Sequence, residues 1–337
     1  MPRPGHDQDM TENSRSFLNR RSMLTLGAGA AAALVASGGI AEASRPSASD
    51  AELARSLPGG FRSEYAQVNG VRLHYVAGGR GEPLILLPGW PETWWQYRKV
   101  MPELAKRYRV IAVDLRGMGG SDKPQGGYDK KTMARDIFEL VRALGHRQAH
   151  IAGHDIGAMV AFAFAANHAE ATKTVTLMDV SHPDESLYQL PMLAPPGQPV
   201  NVWWFAFNQV ATLPEQLLAG RSRFLVDWMF DHLAADPASI GSRDRAIYAA
   251  AYDRPDAIRA GNGWYQAFGQ DIEDQKAYGK ITAPMLGLGS EFNYDYLAAV
   301  LPSKAADVRV RKVAGSGHFV AEEQPRTVVD ELRTFLG

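Results

Sequence analysis

The chain contains no cysteine, which excludes disulfides and thiolate metal sites. It has almost no net charge, with 36 Lys and Arg against 37 Asp and Glu. No basic run occurs outside the N-terminus, so neither nucleic acid nor an anionic membrane surface is implied as a partner. A long apolar run is also missing. The strongest, Leu26 to Ile40, has about 15 residues and is rich in Gly and Ala, short of the ~20 that a membrane-spanning helix needs. What remains, 337 residues at 45% hydrophobic and 22% charged, suffices for one large α/β domain or two small ones.

That short apolar run has informative flanks. Arg20-Arg21 precede it and Ala41-Glu42-Ala43 follow it. A basic start, a hydrophobic stretch and an A-x-A site are the parts of a secretory signal. The paired arginines resemble the twin-arginine export signal, whose cargo crosses already folded. Residues 1–43 are therefore expected to be a cleaved signal that delivers the protein to the periplasm or the medium without a stable membrane anchor. Residues 44–60, with Ser, Pro and Gly, read as a flexible lead-in.

From residue 61 the pattern is rhythmic. Tyr65 to Val76 predicts two short strands around Asn69-Gly70. Apolar strands follow at Pro83–Leu87, Arg109–Val113, Ala149–Ala152 and Thr174–Met178, separated by a helix over Trp94–Arg107, one over Lys131–Leu144 and one ending near His168. The rhythm breaks over residues 181–280, which are helical and heavy in Trp, Phe and Tyr. It resumes with strands at Ala283–Gly289 and Val308–Val313 and a last helix. Continuous apolar strands alternating with amphipathic helices mean a mostly parallel, doubly wound α/β sheet. The core would comprise residues 61–180 and 281–337, with the insertion as a helical cap over the ligand-binding edge.

Within Ala149–Phe162, His154-Asp155 invites comparison with a metal-binding pair. The nine histidines are scattered, however, and none forms a spaced ligand cluster with His154, so no metal is implied. The pair instead follows a buried strand, precedes an Ala-rich helix and lies between Gly153 and Gly157. Small residues two before and two after a nucleophile permit a tight strand-to-helix turn. Asp155 is then the elbow residue.

With Gly-His-Asp-Ile-Gly and Gly-Ser-Gly-His318 in place, the chain from residue 61 onward resembles the capped α/β-hydrolase fold of the epoxide hydrolase and dehalogenase group. Leu87-Pro88-Gly89-Trp90-Pro91 is similar to that family's His-Gly-x-Pro loop, with Pro88 where the family has His. Arg116 to Asp122 is similar to its Arg-Gly-x-Gly-x-Ser-Asp segment. A carboxylate nucleophile attacking an ester would give an anhydride, whereas attack on a saturated carbon gives an ordinary alkyl ester. Asp155 thus favours epoxides or alkyl halides. His318, in the Gly-rich loop after the last strand, is the expected base for the water that hydrolyses this ester. The Trp90 and Ile156 N–H groups are the expected oxyanion donors.

For the acid that orients His318, the candidates are Asp179, at the end of the strand before the cap, and Asp295 or Glu291 after it. Asn293 falls where much of the family carries its acid. The resemblance makes Tyr265, in Gly261–Tyr265, the proton donor to the leaving oxygen. In the second cap segment, where relatives carry Tyr or His, this chain has Trp203 and Trp204, whose indoles donate hydrogen bonds but not protons. Trp203, Trp204, Phe207 and Trp264 are expected to line an apolar pocket for a small hydrophobic substrate, with water as co-substrate and no cofactor.

Trp204 and Tyr265 also match two halide-contacting positions of fluoroacetate dehalogenases, so a dehalogenase is the alternative. Those enzymes hold the substrate carboxylate with arginines where this chain has Ile156 and Met159. Haloalkane dehalogenases usually place Trp directly after the nucleophile, where this chain again has Ile156. A secreted binding or effector protein on the same scaffold is the alternative of another class. The Asp155–His318 pair argues instead for an enzyme.

Overall fold

The computed structural model describes residues 48–191, 193 and 202–337. The export signal expected over residues 1–43 lies outside them. One sheet runs in the order β1-β2-β4-β3-β5-β6-β7-β8. Its strands are β1 (Arg62–Val68), β2 (Val71–Gly78), β3 (Glu82–Leu87), β4 (Tyr108–Val113), β5 (Ala149–His154), β6 (Thr172–Met178), β7 (Met285–Gly289) and β8 (Val308–Lys312). β1 and β2 form the expected hairpin, with Asn69 and Gly70 at φ 44° and 78°, the positive-φ pair that a two-residue type I′ turn needs. β2 joins β4 antiparallel, and every pairing beyond β4 is parallel.

β5 is buried at every position and β3 from Leu84 to Leu87, as apolar strands covered on both faces must be. The far edge, β8, carries Arg309, Arg311 and Lys312, charges that discourage edge-to-edge pairing. From β3 the chain passes to β4 on one side and then crosses to β5 on the other side of β3. The crevice beyond the carboxyl ends of β3 and β5 is the switch point where open α/β sheets bind ligands. Trp90 follows β3 and Asp155 follows β5.

Between β6 and β7 the described residues contain helices and no strand. The helices that bear on the site are Trp203–Gln209, Pro255–Gln266 and Phe268–Lys276. This segment rests on the loops after β3 and β4. The Tyr252 hydroxyl donates to the Glu92 carbonyl at 2.7 Å, and Arg259 donates to the carbonyls of Lys123 and Pro124.

Two expectations need correction. The segment expected to be a flexible lead-in forms a helix over Asp50–Ser56, closed at its start by a reciprocal Ser49–Glu52 capping box. Leu53 and Ala54 are buried, and the Trp94 indole donates to Asp50 Oδ1 at 2.7 Å. The helix expected over Trp94–Arg107 is instead a 3₁₀ turn, Trp94–Tyr97, followed by a separate helix Met101–Leu104. Pro102 explains the break. It lacks an N–H and its ring would clash with the carbonyl four residues back, so it fits only the first turn of a new helix.

Because Leu53 is 2% exposed, Leu53→Ala should lower unfolding free energy by about 2–5 kcal/mol. Denaturant titration measures this, and a loose lead-in would give no change.

Candidate active site

Asp155 sits between the last residue of β5 and the helix Ile156–Asn167, at φ 48° and ψ −121°. A non-glycine residue there costs roughly 1–3 kcal/mol and persists only where its surroundings enforce it. The enforcement is visible on both sides. A Cβ on Gly153 would collide with the Gly157 backbone, and one on Gly157 would collide with the Leu87 carbonyl. The helix therefore packs close against β3 and β5 and lifts the Asp155 side chain above the sheet.

One carboxylate oxygen of Asp155, Oδ2, accepts the Trp90 N–H at 2.9 Å. The Trp90–Pro91 peptide is cis. Ile156 opens its helix, so its N–H has no intrahelical acceptor. The other oxygen, Oδ1, lies 3.9 Å from His318 Nε2. Across the imidazole, His318 Nδ1 is 2.7 Å from Asp179 Oδ2. Asp179 is fully buried and also accepts the Ser290 N–H and the Asn293 side-chain amide, both at 2.8 Å. The structure thus brings Asp155, His318 and Asp179 into one line. Asp295 and Glu291 are exposed, and Glu291 is occupied with the Gly315 N–H and Lys312. Asn293, at the position where much of the family has its acid, acts as a hydrogen-bond donor to Asp179.

Tyr265 is buried, and its ring meets that of Trp90, the residue hydrogen-bonded to Asp155, edge-on at 5.6 Å. Burial, and then the Asp155 charge, push its phenol well above the ordinary range, so it is a neutral O–H donor at physiological pH. Phe205, which sequence analysis passed over between its tryptophan neighbours, packs against Tyr265 at 5.5 Å and links it to Trp204 at 5.8 Å. Trp203 and Phe207 contact each other and Trp203 contacts Trp228. No ring contact joins either of them to Tyr265 among the described residues.

Trp264, expected in the pocket lining, has a structural bond of its own. Its side chain is fully buried and its indole N–H donates to the Arg116 carbonyl at 3.0 Å. The indole fastens the helix Pro255–Gln266 to the loop after β4. Successive helix residues point about 100° apart, so Trp264 and Tyr265 cannot share one face.

Glu92 and its contact with His154 went unread in the sequence. The acid is the lone charge in the loop Gly89-Trp90-Pro91-Glu92-Thr93-Trp94, which was the available signal. Burial, and then the Glu322 charge, push the Glu92 carboxyl well above the usual range. Oε2 lies 3.5 Å from His154 Nδ1. The His154 Nε2 is 2.8 Å from the His318 carbonyl oxygen, which makes Nε2 the protonated nitrogen. The two side chains back the loop that carries His318.

Among the described residues, the grouping with metal-like spacing is Asp50, His74 and Asp114, remote in sequence from Asp155. Its atoms already bond to one another and to Trp94 and Ser63.

A family model for the alpha/beta hydrolase fold matches residues 82–271. The chain belongs to the α/β-hydrolase family. It is 34% identical to the soluble epoxide hydrolase of Corynebacterium sp. strain C12 over 80% of this chain and 96% of that one. It is 28% identical to a fluoroacetate dehalogenase of Burkholderia sp., over 82% and 94% respectively. The crystal structure of Cfl2 from Burkholderia cenocepacia superposes with a TM-score of 0.77 at 39% identity, covering 82% of this chain and 96% of that one. The hydrolase is therefore an enzyme of this fold, with epoxide hydrolases among its relatives.

Proposed function

We propose that this hydrolase opens hydrophobic epoxides to vicinal diols through an alkyl ester on Asp155. The carboxylate attacks one epoxide carbon, the C–O bond breaks, and Tyr265 gives its proton to the departing oxygen. His318 Nε2 then takes a proton from water, and the resulting hydroxide adds to the Asp155 carboxyl carbon. The Trp90 and Ile156 N–H groups hold the oxyanion until it collapses. The leaving diol oxygen takes the proton from the His318 imidazolium, and the acid proton left on Asp155 returns to the Tyr265 phenolate. The diol is thereby released, and carboxylate, imidazole and phenol are restored. Asp179 keeps the imidazole in the tautomer with Nε2 free to accept and stabilises the imidazolium. The observation that carries this reading is the neutral, buried Tyr265 phenol packed on Trp90, the residue whose N–H holds the Asp155 carboxylate, and near enough for the Asp155 charge to bear on it.

The likeness to a fluoroacetate dehalogenase favours one competing reading, in which Trp204 and Tyr265 cradle a halide. Ile156 and Met159 speak against it. Both are buried and apolar where a haloacid carboxylate would need cations. A substrate panel separates the two. Styrene oxide should give diol, while 1-bromobutane and chloroacetate should give little free halide. Strong halide release without diol formation would reverse the assignment.

A further inference from the structure

A core residue too deep to meet substrate is placed to set the position of the Tyr265 phenol. Lys130 opens the helix Lys130–Ala143, and neither its side chain nor that of Asp271 has exposed surface. Lys130 Nζ is 2.8 Å from Asp271 Oδ2 and 2.7 Å from the carbonyl oxygen of Trp264, the residue before Tyr265. The second Asp271 oxygen accepts the Lys130 backbone N–H at 2.7 Å. Nζ also stands 4.9 Å over the Phe268 ring, and Phe268 packs on Tyr265 at 5.2 Å.

Two helix ends meet here with complementary charges. The Asp271 carboxylate caps the N-terminus of Lys130–Ala143, and the Lys130 ammonium caps the C-terminus of Pro255–Gln266. Each end presents about half a unit of opposite charge together with backbone groups that lack intrahelical partners. Burying such a pair costs several kcal/mol per ion in desolvation, and apolar residues of similar volume often hold two elements together at least as well. General adhesion therefore does not explain the pair. Its hydrogen bonds instead fix direction, in the last turn of the helix that carries Tyr265.

We propose that Lys130 is a positioning residue for the leaving-group acid. Its ammonium, held by Asp271, fixes the Trp264 carbonyl and with it the reach of the Tyr265 phenol toward the ring oxygen above Asp155. The inference rests on the reading of Tyr265 as that acid. A shift of about 1 Å in such a group costs about 10²-fold in rate, and only in the step where the phenol acts.

The test resolves the two chemical steps by stopped-flow fluorescence with styrene oxide in Lys130→Met, Lys130→Met/Asp271→Leu and Tyr265→Phe. The double variant leaves no lone buried charge, so it should fold even if Lys130→Met does not. Alkylation in it should slow about 10²-fold while ester hydrolysis stays unchanged, a split that a merely structural role would not produce. Wild-type alkylation in the double variant beside slow alkylation in Tyr265→Phe would overturn this inference alone. Wild-type alkylation in Tyr265→Phe would overturn the acid assignment and the inference with it.

Discussion

Asp179→Asn should slow turnover by about 10²–10⁴-fold, the range of general-base defects, and should leave alkyl-enzyme standing. In the wild type, Asp179 accepts three hydrogen bonds, from His318, Asn293 and the Ser290 backbone. An asparagine has one acceptor oxygen, so its NH2 must face one of these donors. A buried donor left without an acceptor costs roughly 1–3 kcal/mol. The imidazolium also loses the negative charge that stabilises it. The unpaired donor lowers stability in every state alike, whereas the lost charge falls on ester hydrolysis, because alkylation does not require His318 as base. Rapid-quench measurement should find alkylation near the wild-type rate and hydrolysis slowed. Asp295→Asn, at an exposed position, should behave as wild type. The reverse pattern would move the acid to the loop after β7.

Asp155→Gly should separate stability from activity. Glycine adopts φ near 48° without strain, which removes roughly 1–3 kcal/mol. It adds about 0.5–1 kcal/mol of backbone entropy to be lost on folding. The first term is the larger, and the Trp90 N–H that loses its acceptor can bond to water in the space the carboxylate vacates, so stability should stay level or rise by up to about 2.5 kcal/mol. Turnover should fall by at least about 10⁴-fold, as when a covalent nucleophile is removed. Denaturant titration and steady-state diol assays read the two effects. A clear loss of stability would mean that the elbow strain is not stored at this residue.

The core was legible because its signals are local. Apolar runs such as Leu84–Leu87 can only be strands covered on both faces, and the glycines around Asp155 are dictated by backbone clearance within one turn. The choice among Asp179, Asp295 and Glu291 was harder, because it depends on how the loop after β7 closes. That loop brings the Asn293 amide, rather than a carboxylate, to the imidazole's partner. The helix over Asp50–Ser56 was hidden by its Ser- and Pro-rich surroundings, although Ser49 and Glu52 spell a capping box. Trp264 and Tyr265 looked alike as aromatic neighbours until the helix turned one toward Arg116 and the other toward Trp90. Lys130 fell just outside the helix expected over Lys131–Leu144 and carried no local signal, since its partners lie more than a hundred positions along the chain.

The central claim is that catalysis passes through an ester on Asp155. It is tested most directly by the intact-protein mass of His318→Gln after mixing with styrene oxide. The variant can still alkylate but has no base for the water. Its mass should therefore rise by that of one epoxide, and fragmentation should place the addition on Asp155. Sustained diol production by His318→Gln with no mass increase, or an adduct on any other residue, would contradict the account.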